Sequence, residues 1–187
     1  MRQPLGGAWH PARADLAVAT PPDPDGAAGT SLTAGHTTGG GFSRLFSRPG
    51  YQDGIPGSRA TRGVPDVSAD ASGHTGMAIV LSADGRTMVR NSGGTSASAP
   101  IWAALIALAD QYAGRHLGLV NPAIYQIARG PRYHQAFHDV TTGNNTVQFP
   151  PKTITGYQAA PRWDPVTGWG SPNAQVLIPL LARQPMP

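Results

Sequence analysis

The stretch Gly93-Gly94-Thr95-Ser96-Ala97-Ser98-Ala99-Pro100, running directly into Ile101-Trp102-Ala103-Ala104-Leu105-Ile106-Ala107, constrains this chain more than any other. Paired glycines permit a sharp turn and a close backbone approach. Small hydroxyl residues follow, and then an apolar run that must be buried. The pattern predicts a loop-to-helix junction, with a helix opening at Ser96, continuing to about Tyr112 and stopping near Gly114. The first turn of a helix presents unpaired N–H groups and the positive end of its dipole, and such donors can hold a developing oxyanion. Ser96 is therefore a candidate nucleophile. Pro100 is read as a first-turn proline, where a missing N–H costs nothing.

The surrounding sequence reads as a loop-rich α/β chain. Its 187 residues are enough for one domain with a sizeable core, and its 24 glycines and 19 prolines favour long surface connections over a compact helical domain. Met77–Ser82 and Arg86–Arg90 flank Asp84-Gly85, a hairpin signal. Asn121-Pro122 supplies a cap and a first-turn proline for a short helix ending before Gly130. Residues 1–27, ending in Pro21-Pro22-Asp23-Pro24-Asp25-Gly26, lack hydrophobic periodicity and read as an unstructured or unrelated leader, leaving 28–187 as the folded part.

Several function classes are excluded by composition. The net charge is +4, but the basic residues are scattered singly, with no basic run, which argues against nucleic-acid binding. Ile101–Ala109, the longest apolar run, is too short to span a membrane, and Met1–Gly7 has no apolar core, so neither a membrane anchor nor a signal peptide is expected here. The absence of cysteine removes disulfides and thiolate metal sites.

Taken in order, Gly39-Gly40-Gly41-Phe42-Ser43, Phe46, Arg48-Pro49-Gly50-Tyr51-Gln52, Arg62–Ala71, the Gly94–Pro100 stretch, Asp139–Asn145 and Pro161–Pro172 resemble successive segments of the sedolisin family of serine-carboxyl peptidases. Subtilisins share the glycine-threonine-serine element, but the other segments point to sedolisins. The resemblance covers about residues 28–180 and the C-terminal half of a typical family catalytic domain. It implies a partial subtilisin-like parallel sheet with flanking helices and a C-terminal calcium-loop region. It also implies peptide-bond hydrolysis through an acyl-enzyme on Ser96, peptide or protein substrates and an extracellular setting.

The resemblance is incomplete where chemistry is concerned. The family pairs its serine with a glutamate base, an aspartate that orients it and a further oxyanion aspartate, all N-terminal of the glycine-rich segment. No glutamate occurs in this chain, and all 10 acidic residues are aspartates. A serine hydroxyl without a base in hydrogen-bonding reach is a poor nucleophile. His36 and His74 are possible substitutes, but each reads as a loop or turn residue; Asp66 and Asp70 read as acceptors supporting a loop. Two readings follow. In one, the acids come from a separate N-terminal peptidase half. In the other, the chain is a non-catalytic fragment or pseudopeptidase that retains peptide binding at most.

The family's calcium pattern falls on the carboxylates of Asp139 and Asp164 and the carbonyls of Val140, Ala160 and Arg162. Six to eight oxygens suit Ca2+, while in the plainer alternative both aspartates cap turns. Ala160 and Arg162 stand where the family usually has glycine, so a positive φ at either would carry strain of about 1–3 kcal/mol. Trp102, Trp163 and Trp169 read as core or loop packing rather than a binding platform. Without the rest of the family domain, exposed strand edges and an apolar face are expected, together with marginal stability.

Overall fold

The computed structural model describes residues 38–57, 60–72 and 75–185. The expected leader 1–27, His36 and His74 lie outside the described residues. Strands β1 (Gly41–Ser47) and β2 (Thr61–Val64) pair around a single 3-10 turn at Gly50–Gln52, and β3 (Met77–Ala83) and β4 (Arg86–Ser92) form a hairpin. Helices α1 (Thr95–Ala113), α2 (Asn121–Arg129) and α3 (Tyr133–Ala136) follow, then β5 (Phe137–His138), β6 (Val147–Phe149), β7 (Lys152–Ile154), β8 (Ser171–Pro172) and α4 (Ala174–Ala182).

The hairpin has the expected register, with Val80 opposite Val89 and Ala83 opposite Arg86. Asp84 and Gly85 both take positive φ, 52° and 70°, the turn that suits the twist of two antiparallel strands. The core gathers around the helices. Ile124, Tyr125, Ile127 and Ala128 form one buried face of α2, the spacing of an amphipathic helix. They meet Leu105 and Ala109 of α1, Tyr133 and Phe137, Leu177 and Leu181 of α4, and Trp163 and Trp169. Trp102 packs against the same cluster, so Trp102, Trp163 and Trp169 serve packing, as expected.

Three expectations are corrected. The sheet architecture is mixed α/β, but all four ladders among the described residues are two-stranded and antiparallel; a parallel sheet needs neighbouring βαβ strands that these residues do not supply. Pro100 is the sixth residue of α1, not a first-turn residue, so the Ser96 carbonyl lacks the N–H that would otherwise close onto it. Asn121 does not cap α2 with its side chain; its amide instead donates to Asp66 at 3.0 Å.

Asp66 ties the elements together. Its carboxylate accepts from Gln52 Nε2 (3.1 Å), Tyr125 Oη (2.8 Å), Asn121 Nδ2 and the Arg62 guanidinium, while its carbonyl accepts from Trp169 N at 3.0 Å. Fully buried Gln52 completes the joint through a pair of bonds to Gly63. Burial, and then the Asp66 charge, raise the Tyr125 phenol far above its usual value, so it remains a donor. Asp66→Ala removes the acceptor of four donors at once. We expect it to destabilise the chain by about 2–4 kcal/mol in urea titration, with Asp66→Asn intermediate, because leaving buried donors unpaired is costly. A loss below about 0.5 kcal/mol would contradict this role for the carboxylate.

Candidate functional site

Gly94 sits at φ 84°, ψ 164°, a conformation open to glycine, and delivers the chain into α1. The glycine pair is also needed for space: a Cβ on Gly93 would lie 2.6 Å from the Ala71 carbonyl oxygen. The close approach read from the sequence is thus made at least by the chain's own 71–72 backbone. Gly94 N donates to Ala71 O at 2.6 Å, and Ala97 N donates back to Gly94 O at 2.9 Å.

One face of α1 is then stitched to the same segment. Ser98 Oγ donates to the carbonyls of Ala69 (3.1 Å) and Asp70 (3.2 Å), and Trp102 Nε1 donates to Ser68 O at 2.8 Å. Ala97, Leu105 and Ala109 are buried on this side. Because successive helical residues differ by about 100° in direction, Ser96 falls on the opposite side and is exposed. Among the described residues, no carboxylate or imidazole hydrogen-bonds to Ser96. The Asp66 carboxylate is held in its own network, and that of Asp70 accepts from Ser72 N (2.9 Å) and Thr75 Oγ1 (3.1 Å). Both aspartates support loops, as their context suggested.

The expected calcium residues come together, though unequally. Asp139 Oδ2 accepts from Arg162 N at 2.8 Å, and Asp164 Oδ2 accepts from Ala160 N at 3.2 Å, which joins the 139 and 160–164 segments. Val140 follows Asp139 directly. Asp139 Oδ1 is buried without a hydrogen-bond partner. Arg162 takes φ 69°, whereas Ala160 does not enter the left-handed region. The Arg162 side chain is anchored nonetheless, donating to Ala128 O at 3.1 Å and lying 5.0 Å from the Tyr133 ring centroid. Those contacts offset the backbone strain.

Asp164 is occupied from within its loop. Besides Ala160 N, it accepts from Val166 N (2.7 Å), Thr167 N (2.9 Å) and Thr167 Oγ1 (3.1 Å), and it is 2% exposed. Burial raises its carboxyl, opposed by these bonds. The sequence signal for this arrangement is the Asp164-Pro165-Val166-Thr167 turn, in which an aspartate reaches backbone N–H groups two and three residues on. The stitching through Ser98 and the Asp66 joint were not anticipated in detail, since their partners lie 28–29 and 55–59 residues away in the chain. Asp164→Ala is expected to cost about 3 kcal/mol in thermal or urea unfolding, because it strands buried N–H groups. An effect within about 0.5 kcal/mol would contradict the loop-staple role.

No family model matches the chain. Individual proteins do. Kumamolisin of Bacillus sp. (strain MN-32) is 43% identical over 156 residues, covering 78% of this chain and 26% of that protein. Homo sapiens tripeptidyl-peptidase 1 is 32% identical over 166 residues, covering 81% and 29% respectively. Among solved structures, Pseudomonas sedolisin, a serine-carboxyl proteinase complexed with two molecules of pseudo-iodotyrostatin, superposes with a TM-score of 0.63 at 31% identity. That match covers 84% of this chain and 38% of the neighbour. The chain therefore spans between about a quarter and two-fifths of the length of these relatives. These identities over most of the chain, with the structural match, show that this chain belongs to the sedolisin family of serine-carboxyl peptidases.

Proposed function

We propose that this chain is the nucleophile-bearing portion of a serine-type endopeptidase and that it is dormant until carboxylates from elsewhere in a family domain reach Ser96. The observation that carries this reading is the exposed Ser96 at the start of α1, with no base bonded to it among the described residues. In the reaction, Ser96 Oγ attacks the carbonyl carbon of a substrate peptide bond while a carboxylate takes its proton. Collapse of the tetrahedral adduct expels the amine and leaves an ester on Ser96, which water then hydrolyses to restore the hydroxyl. A carboxylate serves as the base in acidic surroundings only while it stays ionised. This sequence has no glutamate for that role, and the Asp66 and Asp70 carboxylates are committed to loop bonds. The chain's own contribution is positional: the Gly93-Gly94 turn and the bonds from Ser98 and Trp102 fix where the hydroxyl stands. By itself the chain retains at most peptide binding, as a pseudopeptidase would. An extracellular setting belongs to this reading through the family resemblance. No helix among the described residues is long and apolar enough to cross a membrane.

A serine-directed phosphonate probe tests the proposal. Labelling is expected to be absent from the chain alone and present when it is co-expressed with the N-terminal half of a sedolisin catalytic domain, and Ser96→Ala should abolish it. Labelling of the isolated chain that disappears in Ser96→Ala would overturn the dormant reading.

A calcium ion fits the same reading as a clamp on the C-terminal loops. The oxygen-only donor set suits a hard cation, and the buried, unpartnered Asp139 Oδ1 is the oxygen such an ion would satisfy. Asp139, with the carbonyls of Val140, Ala160 and Arg162, would hold it; Asp164 would join by releasing one of its present donors. The ion would supply structural cross-linking rather than a catalytic step. Calorimetric titration should show binding with a dissociation constant of about 10⁻⁴–10⁻³ M or tighter, weakened at least about tenfold by Asp139→Asn. Silence at millimolar calcium would contradict the clamp.

A further inference from the structure

Arg162 stands at φ 69°, where the sedolisin pattern usually has glycine. A side chain in the left-handed region is strained, and the conformation persists only where the surroundings hold it. Here they do so through contacts that glycine could not make. Arg162 Nη2 donates to Ala128 O at 3.1 Å, 34 residues away and one of the last four carbonyls of α2. Those carbonyls lack partners within the helix and form the negative end of its dipole, so a guanidinium suits the position. Arg129, the basic residue of that last turn, is committed to the carbonyls of Tyr51 and Asp53 and leaves Ala128 O to Arg162.

The guanidinium also lies over two rings, 5.0 Å from the centroid of Tyr133 in α3 and 5.9 Å from that of Trp169. A ring face attracts a cation at such distances. Both aromatic residues are buried, their rings meet edge-on at 5.7 Å, and Tyr133 Oη donates to Trp169 O at 3.2 Å, so the platform is fixed. Through its backbone, Arg162 N donates to Asp139 Oδ2 at 2.8 Å. A single residue therefore ties the 160–164 loop to α2, to α3 and to the segments of Asp139 and Trp169.

We propose that Arg162 is a built-in cation that fastens the C-terminal loops to the helical core and takes over part of the cross-linking a calcium ion would supply. The comparison with calcium rests on the clamp reading of the Asp139–Asp164 region, whereas the guanidinium contacts stand without it. The two fasteners act at different places. The ion would draw together carboxylate and carbonyl oxygens of residues 139–140 and 160–164; the guanidinium grips a helix-end carbonyl and two ring faces. Working in parallel, each masks the loss of the other, so their effects are not additive. The loops of this chain consequently stay in place at low calcium, where a glycine at position 162 would leave their closure to the metal.

Hydrogen exchange of the full chain, in EDTA and in millimolar calcium, tests the proposal. The amides to follow are those of Ala160, Val166 and Thr167, all of which donate to Asp164. In EDTA, Arg162→Ala is expected to speed their exchange at least about tenfold, with the amides of α1 unchanged. Calcium should restore most of that protection in the variant and alter the wild type less than about threefold. Arg162→Gly relieves the backbone strain but also lacks the guanidinium, and should open the loops in EDTA as Arg162→Ala does. Arg162 is exposed, so the fold is expected to survive both changes; if the α1 amides speed up as well, Arg162→Lys, which keeps the charge and loses the planar fork, supplies the same comparison. Unchanged loop exchange in EDTA, or loops better protected in Arg162→Gly than in the wild type, would overturn the proposal. Loops that open in the variants but ignore calcium would remove the calcium reading and leave the arginine fastening. Calcium binding by calorimetry with unchanged exchange in Arg162→Ala would do the reverse.

Discussion

Helix α1 is apolar almost all the way round, and that constraint organises the molecule. One side is satisfied: Leu105 and Ala109 enter the core with Leu177 and Leu181 of α4, while Ser98 and Trp102 bond to the carbonyls of the 68–70 segment. The other side begins at Ser96 and continues through Pro100, Ala103 and Ala107 without cover. The hydroxyl is consequently presented on a rigid element, in a fixed direction, toward a surface whose burial is unfinished. In the reading proposed above, whatever covers that side would also bring the proton acceptor.

The segments beneath the helix are held by polar joints rather than by a continuous sheet. Asp66 gathers donors from the 3-10 turn, β2 and α2, and its carbonyl reaches the Trp169 loop. A partly buried carboxylate with four donors is stable as a hub but costly to disturb. Asp164 plays a comparable role within one loop, where all four donors to its carboxylate come from residues 160–167. Asp139 differs, since one of its oxygens is buried and unpartnered.

Local features were legible in the sequence, and long-range ones were not. The glycine pair before Ser96 and the Asp84-Gly85 turn follow from backbone sterics within a few residues, so the junction and the hairpin could be read directly. Asn121 looked like a helix cap because its neighbours are Pro122 and an amphipathic run, yet Asp66, 55 residues earlier, takes its amide. Pro100 was placed too early in its helix because Thr95 already has helical geometry. The family order of motifs made the loops around Asp139 and Asp164 recognisable. It could not show that Asp164 would be saturated by its own turn while Asp139 was not. The parallel sheet failed to appear among the described residues because its pairing partners are non-local by nature.

Dormancy of Ser96 requires that its side of α1 be open in this chain and closed in an assembled domain. With no native cysteine, a single Ala103→Cys variant reports on that side without background, and Ala109→Cys reports on the covered side. Thiol-exchange kinetics should show the Ala103→Cys thiol reacting at the rate of an unhindered thiol in the isolated chain and far more slowly in the complex, with Ala109→Cys protected in both. A thiol at position 103 already shielded in the chain alone, or equally reactive after assembly, would contradict the account.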